Sequence, residues 1–298
     1  MKNLTNLTYI KKLLSRHNFK FSKSLGQNFL INPYICPKMA IESDTNKNTG
    51  VLEIGPGIGV LTYELAKISK KVVALEIDSR LIPILNETLN EFSNTKIINC
   101  DILKVDLKEI IEKEFHNMDV IICANLPYYI TSPIIMKLIS ENLPIKSVTA
   151  MVQKEVAHRF CAGDQNRNTG SISIAIKYYT NSEIIFHVEK DSFFPAPKID
   201  SSIIKLTLRK TPLVDVTNKK LFFKTVRAAF SQRRKTLLNS LTYNMNISKN
   251  DMVDILNKLN INLNIRAENL TIEQFTNISN LIDYNLKFQK KTTLSTYK

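Results

Sequence analysis

Nowhere in its 298 residues does the chain carry 18 consecutive apolar side chains, a Cys-x-x-Cys pair or, over its first thirty positions, a single acid. The first absence excludes a membrane-spanning helix of ordinary length. The N-terminal stretch MKNLTNLTYIKKLLSRHNF also lacks a continuous apolar core and a small-residue cleavage site, so no signal peptide is expected. Cys36, Cys100, Cys123 and Cys161 are scattered, which argues against a zinc site or a disulfide frame and for a reducing, cytoplasmic setting. His17, His116, His158 and His187 share no ligand spacing, and no metal is expected.

The missing acids at the N-terminus belong to a wider asymmetry. Net charge is +14 overall: +6 over residues 1–30, −3 over 31–150 and +11 over 151–298. A mildly acidic centre between basic flanks fits a polyanion held at its edges, although a basic face is often only solvated. Apolar residues make up 44% of the chain, enough for one large domain with a smaller one beside it.

Four apolar, β-branched runs precede residue 126: GVLEIG, KKVVALEID, TKIINCD and MDVIICAN. Helical stretches separate them, an order that predicts a parallel sheet covered by helices on both faces. Further on come helix PIIMKLISEN, strand SVTAMVQ, helix KEVAHRFCAG and strands SISIAIKYY, SEIIFHV and SSIIKLTL. About seven strands result, the later ones spaced for antiparallel pairing. Beyond RKTPLVD the pattern is helical only, with Phe223, Val226, Phe230, Leu237 and Leu241 on one stripe, so a domain boundary is placed near Pro212.

VLEIGPGIGVLT follows a strand and opens a helix, and Gly55, Gly57 and Gly59 let the backbone turn tightly beside a ligand. The dinucleotide fingerprint needs a further glycine where Val60 stands. Glu53, just ahead of the loop, suits a ligand with positive charge better than a pyrophosphate. Glu76 closes the next strand, where an acid can accept both ribose hydroxyls; Asp101 closes the third and can accept an adenine amine; Asn125 closes the fourth. One such acid is often a helix cap. Three polar strand ends behind a glycine loop point instead to a cationic ligand containing adenosine, S-adenosylmethionine.

These motifs together resemble the ribosomal RNA adenine N6,N6-dimethyltransferases of the KsgA type. SLGQNFL (24–30) is similar to that family's N-terminal cofactor segment, EIGPGIGVLT to its glycine loop and NLPYY to its catalytic motif. FFPAPKIDS (193–201) and AFSQRRKTLLNSL (229–241) are similar to its downstream signatures. In the loop GDQNRNTGS, Thr169 stands where the family usually has an aromatic residue. The resemblance implies a Rossmann-like class I methyltransferase fold of about seven mostly parallel strands, with a small all-helical C-terminal domain. It implies a basic extension over 1–20, a methyltransferase domain over 21–211, a helical RNA-binding domain over 212–285 and a flexible basic tail over 286–298.

By the same analogy Asn28, Leu30, Gly55, Gly57, Glu76, Ile77, Asp101, Ile102 and Asn125 would contact S-adenosylmethionine, with no metal. An adenine N6 amine is a weak nucleophile because its lone pair is delocalised into the ring. The Asn125 side-chain oxygen and the Leu126 carbonyl would hold its hydrogens, Pro127 would fix the turn, and Tyr128 and Phe193 would face the base, with Phe194 a loop anchor. Arg233, Arg234 and Lys235, on an expected helix, would meet RNA phosphate. The implied reaction dimethylates two adjacent adenosines in a 3′-terminal hairpin of small-subunit (16S) rRNA, late in assembly of the 30S subunit, the enzyme acting as a monomer. An Erm-type enzyme acting on 23S rRNA, or a non-catalytic rRNA-binding assembly factor, are the alternatives.

Overall fold

The computed structural model describes residues 3–22, 26–232 and 234–295, with side chains described as far as 287. In chain order the elements are α1 (Leu7–Arg16), β1 (Phe29–Leu30), α2 (Ile35–Glu42), β2 (Thr49–Ile54), α3 (Val60–Ile68), β3 (Lys71–Glu76), α4 (Ile82–Thr88) and β4 (Thr95–Asn99). Then follow α5 (Leu107–Glu114), β5 (Asp119–Asn125), α6 (Thr131–Ser140), β6 (Ser147–Gln153), α7 (Lys154–Phe160), α8 (Ser171–Tyr179) and β7 (Thr180–Val188). The chain closes with β8 (Phe193–Phe194), β9 (Ser201–Leu208), α9 (Lys219–Ala229), α10 (Leu237–Met245), α11 (Lys249–Lys258) and α12 (Ile272–Ser295).

Seven strands form one sheet in the order β4-β3-β2-β5-β6-β9-β7. The first five are parallel; β9 runs antiparallel to β6, and β7 antiparallel to β9. Strands β2, β5 and β6 are buried along nearly their whole length, as expected for a sheet covered on both faces. From β2 the chain order runs one way through β3 and β4 and the other way through β5. That reversal opens a crevice beyond the carboxyl ends of β2 and β5. A second, two-stranded sheet pairs β1 with β8, setting Phe29 opposite Phe194 and Leu30 opposite Phe193.

The structure divides into two compact units, residues 1–158 with 180–208, and residues 159–179 with 209–298. Contrary to the sequence expectation, SISIAIKYY is the helix α8 and not a strand. Its isoleucines alternate as in a strand, but Ile174 and Tyr178 also lie four apart, and both join Phe222 and Val226 in the apolar cluster of the second unit. The described residues of the segment SQRRKT are likewise not helical. Helix α9 ends where the Ser231 hydroxyl donates to the Ala228 carbonyl at 2.8 Å, and α10 starts only at its own cap, Thr236, which accepts from the Asn239 N–H at 3.4 Å. Nothing between Ile272 and Ser295 breaks a helix, and α12 continues through the region expected to be a flexible tail from 286.

Within the basic N-terminal extension, α1 is an amphipathic helix. Ile10, Leu13 and Leu14 of α1 are buried in the core of the first unit, leaving its cations outside. Arg16 pairs with Glu87, which His17 Nε2 also meets at 2.7 Å, and Lys11 lies 5.3 Å from the centre of the Phe194 ring.

Candidate active site

The glycine turn after β2 is built so that backbone, not side chain, faces the crevice. Gly57 has φ +61°, and a Cβ there would stand 3.3 Å from the Phe29 ring. Gly59 caps α3 at φ +90°, and a Cβ there would press on Thr88 Oγ1 at 3.1 Å. The turn is tied to the sheet by the Gly55 N–H, which donates to the Leu75 carbonyl at 2.9 Å.

Around this turn lies one cavity of the first unit, and every cofactor-binding and catalytic residue expected from the sequence borders it. Asn28 and Leu30 come from the segment ending in β1, Gly55 and Gly57 from the turn, Glu76 and Ile77 from the end of β3, and Asp101 and Ile102 from the loop after β4. Asn125, Leu126, Pro127 and Tyr128 come from the end of β5, and Phe193 from β8. The sequence-predicted RNA residues are elsewhere: Arg234 and Lys235 are exposed in the α9–α10 loop of the second unit, and Arg233 lies outside the described residues.

Glu76 is 4% exposed, and each of its carboxylate oxygens accepts one backbone N–H, Oε1 from Asp78 at 2.8 Å and Oε2 from Gly57 at 3.3 Å. A carboxylate oxygen has a second lone pair, so both remain able to accept from a ligand. Burial pushes this carboxyl up to about 7 despite the two N–H donors. Glu53, at the end of β2, is deeper: burial raises it to about 8, and its Oε2 has no hydrogen-bond partner among the described residues. Asp101 Oδ1 accepts the Leu103 N–H at 3.0 Å, and Lys104 lies 3.5 Å from Oδ2.

At the end of β5 the Leu126 N–H is held by the Met151 carbonyl at 3.2 Å, which leaves the Leu126 carbonyl and the Asn125 amide without an intramolecular partner among the described residues. The Tyr128 hydroxyl meets the Ser201 hydroxyl at 2.6 Å. Phe193 is 2% exposed within the cavity wall, and Phe194 packs edge-on against Phe21, as a loop anchor would.

Two residues bordering this site, Gln27 and Tyr129, and one behind it, Ser201, carry no role predictable from the sequence. Gln27 Nε2 donates to Asp78 Oδ2 at 2.8 Å while its Oε1 accepts the Ser22 N–H at 2.9 Å, fastening the segment before β1 to the end of β3. Tyr129, 54% exposed, leans on Gly26, where a Cβ would lie 3.5 Å from its ring. Ser201 is fully buried at the start of β9. Position within a motif is the only local signal any of them carries. Among the described residues no group of three or more His, Cys, Asp or Glu could hold a metal ion, and no helix is long and apolar enough to cross a membrane.

A sheet of this order, with a glycine turn and three polar strand ends around one crevice, defines the Rossmann-like class I methyltransferases. The model of the ribosomal RNA adenine dimethylase family matches residues 18–284. The ribosomal RNA small subunit methyltransferase A of Bacillus pumilus is 48% identical over 276 residues, 91% of this chain and 94% of that protein. Its namesake in Clostridioides difficile is 45% identical over 283 residues, 95% and 98% of the two chains. Among solved structures, a dimethyladenosine transferase from Plasmodium falciparum superposes with a TM-score of 0.71 at 30% identity, covering 87% of this chain and 98% of that one. The 23S rRNA methyltransferase ErmE shares the fold, with a TM-score of 0.65 at 24% identity over 84% of this chain and 98% of its own. The chain therefore belongs to the ribosomal RNA adenine dimethylase family, and it is an enzyme that methylates adenine in ribosomal RNA.

Proposed function

We propose that this protein uses S-adenosylmethionine to dimethylate the N6 amines of two adjacent adenosines in a 3′-terminal hairpin of small-subunit rRNA, acting in the cytoplasm as a monomer on an immature 30S subunit. The observation that carries the reading is the single cavity bordered by Glu76, Asp101 and the Asn125–Tyr128 segment. Support for the small subunit comes from relatives at 45–48% identity that bear that name.

The residues present fit the cofactor. Glu76 keeps free lone pairs on both oxygens for two ribose hydroxyls, and the bare backbone of Gly55 and Gly57 leaves room beside it. Asp101 and Ile102 would hold the adenine, and Asn28, Leu30 and Ile77 would close around the rest. Glu53 borders the same cavity as a neutral acid at pH 7, because burial holds its carboxyl up to about 8, so the positive charge the sequence led one to expect it to balance is not met by this side chain. When bound, S-adenosylmethionine supplies an electrophilic methyl group on a cationic sulfur.

The chemistry asked of the protein is then positioning. Asn125 Oδ1 and the Leu126 carbonyl, both otherwise unengaged among the described residues, accept the two amine hydrogens and draw the nitrogen lone pair out of conjugation with the ring. No strong base is required, because the proton leaves after the nitrogen has attacked. Pro127 holds the turn that aims these acceptors, and Tyr128 and Phe193 offer faces for the base, which must leave its stack to enter. Arg233, Arg234 and Lys235 would meet phosphate from the helical RNA-binding domain. Incubating the protein and labelled S-adenosylmethionine with immature small and large subunits tests the whole reading. Dimethyladenosine in small-subunit RNA is expected; label in large-subunit RNA would leave the Erm-type alternative, and binding without label a non-catalytic factor.

A further inference from the structure

We infer that Ser201 is a positioning residue for methyl transfer, holding Tyr128 so that the base slot between Tyr128 and Phe193 keeps one width. The inference rests on the proposal that those two rings flank the target adenine.

Ser201 is fully buried, and the only hydrogen bond found for its hydroxyl among the described residues is to the Tyr128 hydroxyl, at 2.6 Å. Its backbone is immobilised from both sides, since Ser201 pairs with Gln153 of β6 and with Val188 of β7. The residue before it is also tied down: the Asp200 carbonyl accepts from the Lys154 N–H at 3.0 Å, and Asp200 Oδ1 from the Lys190 N–H at 3.1 Å. Tyr128, by contrast, opens a short turn beyond β5, is partly exposed, and has the bond to Ser201 as the only hydrogen bond found for its side chain among the described residues. Phe193 begins the same segment and is fixed through its pairing with Leu30. One nine-residue segment, 193–201, thus supplies one wall of the slot at its first residue and the support of the other wall at its last.

A loose Tyr128 ring would admit the base in many orientations, of which few point the amine at Asn125 Oδ1 and the Leu126 carbonyl. The cost should fall on turnover, because the proposed phosphate contacts of Arg234 and Lys235 do not border the cavity.

The test is a double-mutant cycle on the full chain, with Ser201→Ala, Tyr128→Phe and the double variant, and immature small subunits as substrate. Each single change should lower kcat about five- to tenfold, the worth of one hydrogen bond, with RNA KM and calorimetric S-adenosylmethionine affinity within about twofold of wild type. The double variant should be no slower than the slower single, because both changes delete the same bond. Tyr128→Phe keeps the ring and reads the same bond from the other side should Ser201→Ala fold poorly. Wild-type turnover in Ser201→Ala, multiplicative losses in the double variant, or a matching fall in cofactor affinity would each overturn the inference. Asn125→Ala serves as the reference: if it is inactive while Ser201→Ala is unaffected, only this inference fails, and if it is fully active the pocket itself is wrongly assigned.

Discussion

Replacing Glu53 by glutamine should stabilise the protein at neutral pH and flatten its response to pH. Glu53 is 1% exposed, its Oε2 has no hydrogen-bond partner among the described residues, and burial lifts its carboxyl from 4.5 to about 8. The neighbouring Thr62 hydroxyl lowers it and the nearby Glu76 carboxyl raises it, each by less than burial does. Between pH 4.5 and 8 the folded protein keeps a proton that the unfolded chain has released, so folding loses free energy as pH rises. This contribution is fully present below 4.5, is lost progressively up to about 8 and changes no further above it. At roughly 1.4 kcal/mol per pH unit, the loss at pH 7 is on the order of 3 kcal/mol, against about 1 kcal/mol at pH 5. Glutamine has nearly the same shape and is neutral in both states, so Glu53→Gln escapes the loss. Urea denaturation at pH 5, 7 and 8 reads the difference between variant and wild type, which cancels the other titrating groups. The midpoint gap should widen with pH at constant m. A gap that does not change with pH, or a variant less stable than wild type at pH 8, would show that Glu53 is ionised against a buried partner and refute the reasoning.

The remaining expectations concern ligand, chemistry and RNA. Glu76→Ala should weaken S-adenosylmethionine binding by roughly 1.5–3 kcal/mol in calorimetry, the range for hydrogen bonds to a charged group. In the wild type the same affinity should rise between pH 6 and 8, because burial holds the Glu76 carboxyl near 7 and its ionised form is the better acceptor; a pH-independent affinity would contradict this. Asn125→Ala should cut turnover far more than it weakens cofactor or RNA binding, as single-turnover rates would reveal. RNA affinity should fall steeply with salt, and Arg234→Ala with Lys235→Ala should flatten the log–log slope by up to about 2; an unchanged slope would return these side chains to a solvated face.

The parts of this molecule that were legible in the sequence are those whose signal is local. Buried parallel strands read as unbroken apolar runs: β3 and β5 lie within KKVVALEID and MDVIICAN, and β2 overlaps GVLEIG but starts one residue earlier, at Thr49. Polar residues just past those runs had to fall at carboxyl ends of strands, where an open α/β sheet places its crevice, so Glu76, Asp101 and Asn125 could be grouped before any coordinates. The glycines between them announced a backbone turn that side chains would block.

What stayed hidden was decided by tertiary partners. SISIAIKYY alternates well enough for a strand, and only the apolar surface of Phe222 and Val226 makes the face of Ile174 and Tyr178 the one that is buried. SQRRKT continues the helical stripe of α9 on paper, yet hydroxyls at Ser231 and Thr236 end one helix and start the next. Strands β1 and β8 are two residues each, too short for any periodicity, although their pairing sets Phe193 against the cavity. Ser201 and Gln27 follow the same logic: one small polar side chain supports Tyr128 and another holds Asp78, across 73 and 51 residues of sequence. The groups proposed to touch ligand could therefore be read from the order of elements, whereas the groups that hold them in place could be found only where the folded chain brings distant segments together.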